Sequence, residues 1–78
     1  MEYRIKSKLD SFLNSKGIEK GWLAEQIKAE RASISRWCKN DSEGFATVLP
    51  STYNLLLMAH ILNCKVDDLF ELIEIKSN

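Results

Sequence analysis

The stretch from Leu23 to Trp37 constrains the fold more than any other part of this 78-residue chain. Its apolar residues recur at helical spacing on both sides of a short break, which predicts two short helices joined by a tight turn. We expect the first helix over about residues 20–27 and the second over about residues 31–39. The residues expected to be buried in these helices and their turn are Leu23, Ala24, Ile27, Ala29, Ile34 and Trp37.

The second of these helices has a polar face opposite its apolar one. The residues of that outer face are Arg31, Ala32, Ser35 and Arg36, with Ser33 at its margin. A short helix that buries one side and presents Arg and Ser on the other can enter the major groove of DNA. The pattern therefore favours double-stranded DNA as a partner.

The same stretch resembles the helix-turn-helix of phage-repressor transcriptional regulators, the lambda Cro-like or XRE-type family. The likeness extends over roughly residues 5–70 and, downstream of the helix-turn-helix, is carried by Pro50, Ser51, Leu55, Met58, Ala59, Leu62, Val66, Asp67, Asp68, Leu69 and Phe70. It implies a compact, all-α, five-helix lambda-repressor-like domain, with helices two and three forming the helix-turn-helix. We expect one such domain over residues 1–78, with an extended loop over 40–49 and a C-terminal tail over 73–78.

Three features depart from the family's pattern. Lys28 stands where the family usually has Gly in the turn, and a non-Gly residue in a left-handed conformation costs about 1 kcal/mol. Glu30 stands where Ser or Thr usually caps the recognition helix, and Glu is a poorer cap. The loop over residues 40–49 is longer than the family's usual connection.

The rest of the chain is predicted as three further helices. The first spans residues 3–15, because Ile5, Leu9, Phe12 and Leu13 lie at helical spacing. The fourth is expected over about 52–62, and the fifth from residue 66 to about residue 72. The residues expected to cap these helices are Gly17, Ser51 and Asn63.

The net charge is zero, but the charges are unevenly distributed. Residues 1–40 contain nine Lys and Arg against five Asp and Glu, whereas residues 41–78 contain two against six. Such an asymmetry can turn the helix-turn-helix half toward a polyanion and the acidic half away from it. The alternative is that the charges of a small surface segregate by chance.

DNA contacts can be assigned to individual residues, those in the recognition helix and at Lys20 from the resemblance and those at Lys28, Lys39 and Asn40 from the chemistry of their side chains. Those predicted to read bases are Arg31, Ala32, Ser35 and Arg36, and a good bidentate Arg–guanine pair contributes about 1–3 kcal/mol of discrimination. Those predicted to contact phosphates, and so to fix register without reading sequence, are Lys20, Lys28, Ser33, Lys39 and Asn40. The alternative for these Lys and Arg residues is a solvated surface without a partner.

A second predicted surface would bind a copy of the chain or another protein. Its residues are Tyr53, Leu57 and Ile61 in the fourth helix and Leu72, Ile73 and Ile75 near the C-terminus. Excess apolar surface in a small protein commonly marks a partner site. A twofold homodimer, with residues 73–76 as a strand paired across it, would suit a palindromic operator. The alternative is that the long loop folds over the apolar row of the fourth helix.

Catalysis and cofactors have little support in the sequence. His60 has no Ser, Cys or carboxylate at a spacing typical of a catalytic dyad, and Cys38 and Cys64 lack the paired spacing of zinc ligands. No Gly-rich phosphate loop or membrane-spanning apolar run is present in the sequence. We therefore expect no enzyme activity, no cofactor, no metal, no small-molecule ligand and a cytoplasmic location.

These observations predict a sequence-specific transcriptional regulator that binds double-stranded DNA, acting as a dimer on a palindromic operator. That the regulator is a repressor is what the resemblance to the family implies. Two alternatives stay open. One is an antitoxin-type regulator whose apolar surface holds a toxin. The other is a protein-binding modulator that has kept the fold but not DNA binding. Lys28 in the turn and Glu30 at the cap slightly favour this second alternative.

Overall fold

The computed structural model describes residues 2–76, which form a strand, five helices and a second strand. In chain order the elements are β1 (Glu2–Ser7), α1 (Leu9–Lys16), α2 (Lys20–Ile27), α3 (Arg31–Cys38), α4 (Thr52–Ile61), α5 (Val66–Leu69) and β2 (Phe70–Ile75). The predicted bounds of α2 are confirmed, and α3 and α4 each end one residue earlier than predicted. Ser77 and Asn78, at the end of the expected tail, lie outside the described residues.

The two strands overturn the all-α prediction. β1 and β2 pair antiparallel, from Glu2 opposite Ile75 to Ser7 opposite Phe70, and form a two-stranded ribbon. The predicted helix over 3–15 is wrong before Leu9, because residues 2–7 follow the two-residue period of a strand and β2 supplies their backbone partners. The fifth helix ends at Leu69 rather than near residue 72, because the chain continues directly into β2. Residues 73–75 of the strand predicted over 73–76 belong to β2, which pairs with β1 of the same chain.

Helix ends follow the predicted local chemistry. Gly17 (φ 68°) and Asn63 (φ 54°) adopt the left-handed conformation after α1 and α4, as expected. At the start of α4 the Ser51 hydroxyl accepts a hydrogen bond from the Asn54 backbone N–H at 3.1 Å, so the expected N-cap is confirmed. Capping by Ser removes one of the unpaired N–H groups of the first turn.

The core draws on every helix. Its completely buried large side chains are Leu9, Leu13, Leu23, Ile34, Met58 and Leu69. Trp37 joins them with 7% of its surface exposed, which confirms its expected place in the core. Because each helix contributes at least one of these side chains, the helix-turn-helix is held against α1, α4 and α5 by a shared apolar cluster.

The long loop after α3 lies along β1. It closes on itself through an isolated bridge between Asn40 and Ala46, and the Ala46 N–H donates to the carbonyl of Ile5 at 2.7 Å. The loop therefore covers part of the edge of β1 that faces away from β2. It leaves Tyr53 of α4 71% exposed, so the loop does not cover the first residue of the apolar row predicted on the fourth helix.

Candidate nucleic-acid interface

The turn between α2 and α3 adopts the geometry expected from its sequence. Lys28 takes the left-handed conformation (φ 56°, ψ 44°), as the position usually held by Gly requires. The Ala29 N–H then donates to the carbonyl of Ala24 at 2.9 Å, which reverses the chain toward α3. Glu30 is the N-cap of α3 and makes no side-chain cap bond, although its carbonyl accepts the Ser33 N–H at 3.0 Å, so the first turn of α3 lacks the side-chain acceptor that Ser or Thr usually supplies.

α3 has one buried face and one exposed face. Ile34, Trp37 and Cys38 are buried in the core. On the opposite side Arg31, Ala32 and Arg36 are exposed, and Ser33 and Ser35 are half-buried. The structure thus brings together on one accessible helix face the residues predicted to read bases. Such a face can be laid into a major groove without unfolding any part of the core.

The Arg36 guanidinium is tethered along the helix. Its Nη2 donates a hydrogen bond to the Ser33 hydroxyl at 3.1 Å. The guanidinium keeps its other N–H donors, and the Ser33 hydroxyl keeps its own hydrogen to donate. The contact reduces the freedom of a long side chain before any ligand arrives, which lowers the entropy lost on binding.

Lys20 and Arg31 line one cleft. The cleft has a volume of about 670 Å³ and lies between the end of α1 and the start of α2, with Arg31 at the start of α3 on its border. Helix N-termini and cations both attract anions. The Lys20 ammonium is paired with the Asp10 carboxylate at 3.2 Å, so a phosphate would have to compete with Asp10 for it.

The remaining predicted phosphate contacts differ in how freely they can act. Lys28, in the turn after α2, and Lys39, directly after α3, are both exposed. Asn40 is also exposed, but its amide bonds to the backbone of Ser7 through both its oxygen and its nitrogen. One Nδ2 hydrogen of Asn40 is left for any further partner.

The predicted partner surface is only partly accessible. Leu57 and Ile61 are half-buried and pack against the core. Tyr53 and Leu72 are strongly exposed, and Leu56 of α4, which was not predicted, is 57% exposed. The sequence from residue 45 to residue 64 contains no Asp, Glu, Lys or Arg, so the exposed Tyr53 and Leu56 lie in a stretch without acidic, Lys or Arg side chains.

Sequence reasoning missed the residues that join β1 to the rest of the site, namely Arg4, Ser7 and Asp41. Asp41 could have been noticed, because Asp followed by Ser, Glu and Gly is typical of a turn organised by its own carboxylate. That carboxylate accepts the N–H groups of Glu43 and Phe45. These bonds, chiefly the one from Phe45, lower the pKa of Asp41.

The two cysteines are free thiols, Cys38 buried and Cys64 half-buried. Burial raises the pKa of Cys38 to about 11; the nearby Lys20 lowers it by a smaller amount and Asp10 raises it slightly. Burial also raises the pKa of Cys64. Within residues 2–76 no three His, Cys, Asp or Glu side chains cluster as metal ligands would. None of the helices in the same range is long and apolar enough to cross a membrane.

Comparison with known proteins agrees with this geometry. A crystal structure of a candidate DNA-binding protein from Bacteroides fragilis superposes with a TM-score of 0.71 at 28% sequence identity, covering 86% of this chain and 98% of that one. No curated protein matches the chain in sequence. Residues 8–74 match the Cro/C1-type HTH DNA-binding domain. This match spans the helix-turn-helix, the core and most of β2, and the chain therefore belongs to the Cro/C1-type helix-turn-helix DNA-binding family.

Proposed function

We propose that the chain is a sequence-specific transcriptional repressor that binds a palindromic DNA operator as a homodimer. The observation that carries the proposal is the exposed face of α3, where Arg31, Ala32 and Arg36 stand opposite a buried Ile34 and Trp37. In a DNA-binding helix-turn-helix this is the face that enters the major groove. Bound protein would deny the promoter to RNA polymerase.

Each side chain of the interface has a proposed role. Arg31 and Arg36 donate to guanine edges, Ala32 contacts a thymine methyl and Ser35 donates to a base. Lys28 and Lys39, at the ends of the turn and helix, hold phosphates, and Lys20 does so when it leaves Asp10. Ser33 flanks the bases and can donate its hydroxyl hydrogen to a phosphate. Asn40 can reach a phosphate only through its remaining Nδ2 hydrogen.

The free edge of the ribbon supports a dimer. Ile5 directs its carbonyl to the loop, so its partner Leu72 in β2 directs its own N–H and C=O away from β1. Within residues 2–76 no strand pairs with that side of β2, and Leu72 is 64% exposed. An unpaired strand edge is a template for another strand.

We propose that β2 pairs with β2 of a second copy across a twofold axis beside Leu72. This register places the two Leu72 side chains against each other and sets Glu71 opposite Ile73 of the other copy. Glu71 and Glu74 are then kept out of direct opposition, which would be unfavourable for like charges. Ile75 lies at the end of the paired region.

A second candidate function is an antitoxin-type regulator, which would bind DNA and also a partner protein. It is favoured by the exposed Tyr53 and Leu56 on α4, which lie in a stretch without formal charge. Leu57 and Ile61, half-buried behind them, would border the contact. This role would be supported if an unrelated small protein copurifies with the parent chain and no longer copurifies with the Tyr53→Lys variant.

The proposed function is tested by selecting ligands from random duplex DNA with the purified chain. The Arg31→Ala/Arg36→Ala double variant is run beside it, and the control is Lys65→Ala/Lys76→Ala, which removes the same charge after residue 64. We expect an inverted repeat to be enriched by the parent and by the control but not by the arginine variant. Enrichment of the same repeat by all three proteins would refute base reading by α3, and no enrichment at low salt would refute DNA binding itself.

A further inference from the structure

Ser7 ties the end of β1 to the end of α3. It is a polar residue with only 5% of its surface exposed, and its hydroxyl donates to the carbonyl of Trp37 at 2.6 Å. That carbonyl belongs to the last turn of α3, where no further helical N–H is available to bond it. A residue from the ribbon thus completes the C-terminal end of the recognition helix.

Asn40 forms the second tie in the same place. Its Oδ1 accepts from the Ser7 N–H and its Nδ2 donates to the Ser7 carbonyl, both at 2.9 Å. The amide therefore imitates one residue of a neighbouring strand. Because Asn40 follows α3 by two residues, this pair of bonds fixes the exit of the helix to the edge of β1.

Within residues 2–76 the start of α3 has no hydrogen bond to the ribbon comparable to these, and it follows directly from the turn that joins it to α2. The N-cap Glu30 makes no side-chain cap bond, and the side-chain hydrogen bond described on the outer face of α3 joins Arg36 to Ser33. The polar bonds that join the recognition helix to the ribbon are therefore concentrated at Ser7 and Asn40. Apolar packing of Ile34 and Trp37 sets the depth of the helix but is less directional than hydrogen bonds.

We propose that Ser7 and Asn40 are positioning residues that hold the recognition helix at a fixed angle to the ribbon. The inference rests on the proposed function, because a dimer joined through β2 would carry its two α3 helices at a separation set by that angle. In a palindromic site the half-sites must lie one helical turn of DNA apart for both helices to bind. Ser7 and Asn40 would thus determine which half-site spacing is accepted through their bonds to each other and to α3, and Ser7 would do so without touching DNA.

The test measures affinity for a series of duplexes at one temperature at which every variant is folded. Two copies of the selected half-site are placed at the preferred centre-to-centre distance or displaced by one or two base pairs, and a duplex with a single half-site is included. The proteins compared are the parent, Asn40→Ala, Ser7→Ala and Ser7→Thr, the last of which keeps the hydroxyl. The control is Ser51→Ala, which also removes a Ser hydrogen bond but at the start of α4.

We expect the parent to prefer one spacing by about tenfold and Asn40→Ala to reduce that preference to about threefold or less, because a loosened helix is no longer preorganised. For Ser7→Ala, whose residue is not among the proposed DNA contacts, affinity for the single half-site should change by less than about twofold, since the face of α3 is intact. For Asn40→Ala, which also removes a proposed phosphate contact, the readout is the ratio of affinities between the spacings, because a lost phosphate contact weakens every spacing equally. Ser7→Ala should behave like Asn40→Ala, and Ser7→Thr and Ser51→Ala like the parent.

The inference is overturned if Asn40→Ala and Ser7→Ala keep the parent's spacing preference while only their thermal stability falls. It is also overturned if Ser51→Ala weakens the preference equally, or if the parent binds single half-sites and has no preferred spacing. A parent that binds no duplex at all would overturn the proposed function and this role with it, so the two failures are distinguishable.

Discussion

Arg4 donates to the Asp41 carboxylate at 3.1 Å and so joins the first strand to the loop that follows the recognition helix. The Arg4 guanidinium also lies over the Phe45 ring, 4.4 Å from its centre. Both charged side chains remain partly exposed, so the ion pair alone contributes little. The ion pair matters because the same Asp41 carboxylate also accepts hydrogen bonds from two backbone N–H groups of the loop. The ion pair and these two hydrogen bonds together hold the loop against β1.

Stability should fall in acid partly through Asp41. The pKa of Asp41 is lowered in the folded chain, chiefly by the Phe45 N–H, so its contribution is present above the pKa of an unfolded Asp, about 3.9. It is lost as the pH falls through the lower folded pKa. Urea unfolding at neutral pH and near pH 3 should show a smaller loss for Asp41→Asn than for the parent. An equal loss in the two proteins would show that Asp41 does not carry it, and Asp67→Asn serves as the control.

Replacing Lys28 should relieve strain in the turn. Because Lys28 has φ 56°, Lys28→Gly should raise the free energy of unfolding by up to about 1 kcal/mol. The gain is reduced by the greater conformational entropy that Gly gives the unfolded chain. Lys39→Gly, at a position with φ −82°, should give no gain. Equal effects of the two substitutions on urea unfolding would argue against strain at Lys28.

Removing Asp10 should strengthen DNA binding through Lys20. Asp10→Asn breaks a 3.2 Å ion pair and leaves the ammonium available to a phosphate, so affinity at low salt should rise by about threefold. Asp67→Asn removes the same charge from α5 and should have a smaller effect. If both variants gain equally in a salt titration, the change reflects net charge rather than a contact by Lys20.

A charge at Leu72 should separate the dimer. Leu72→Lys would place two ammonium groups beside the proposed axis, so the variant should sediment as a monomer. It should bind the palindrome about tenfold or more weakly, because the second half-site is no longer held at high local concentration. Leu56→Lys introduces the same charge on α4 and should remain dimeric. The opposite result would move the interface from β2 to α4.

The two thiols should differ in reactivity. Because the pKa of Cys38 is raised to about 11, only roughly one thousandth of the Cys38 side chains are thiolates at pH 8. The thiol is also buried. A disulfide reagent should therefore modify Cys64 first and reach Cys38 only after denaturant is added. In Cys64→Ser the folded chain should show no fast phase. A fast phase that persists there would mean that α3 opens readily near its C-terminus.

The helix-turn-helix could be predicted from the sequence because its determinants are local. The apolar spacing of residues 23–37, the left-handed turn at Lys28 and the capping role of Ser51 each depend on neighbours within about one helical turn. The division of α3 into a buried and an exposed face followed from the same spacing. That its exposed face reads bases stays a prediction, as do the phosphate contacts.

The ribbon could not be predicted in the same way, because its strands come from opposite ends of the chain. Ile5 lies four residues before Leu9 and so fits a helical stripe as well as a strand. The choice between them is made by pairing with β2, which no local pattern encodes. The hydrogen bonds between Asn40 and Ser7 could not be predicted for the same reason, because they form only once β1 has formed.

The loop that lies on β1 also limits how many molecules can associate. Part of the outer edge of β1 is already occupied by the chain's own Ala46 and by the Asn40 side chain, which leaves β2 as the more accessible edge for strand addition. A symmetric pair uses that edge in both molecules, and a third molecule then finds no equivalent edge to extend. Association of this kind closes at two copies instead of growing into a filament, even though the chain carries an exposed strand.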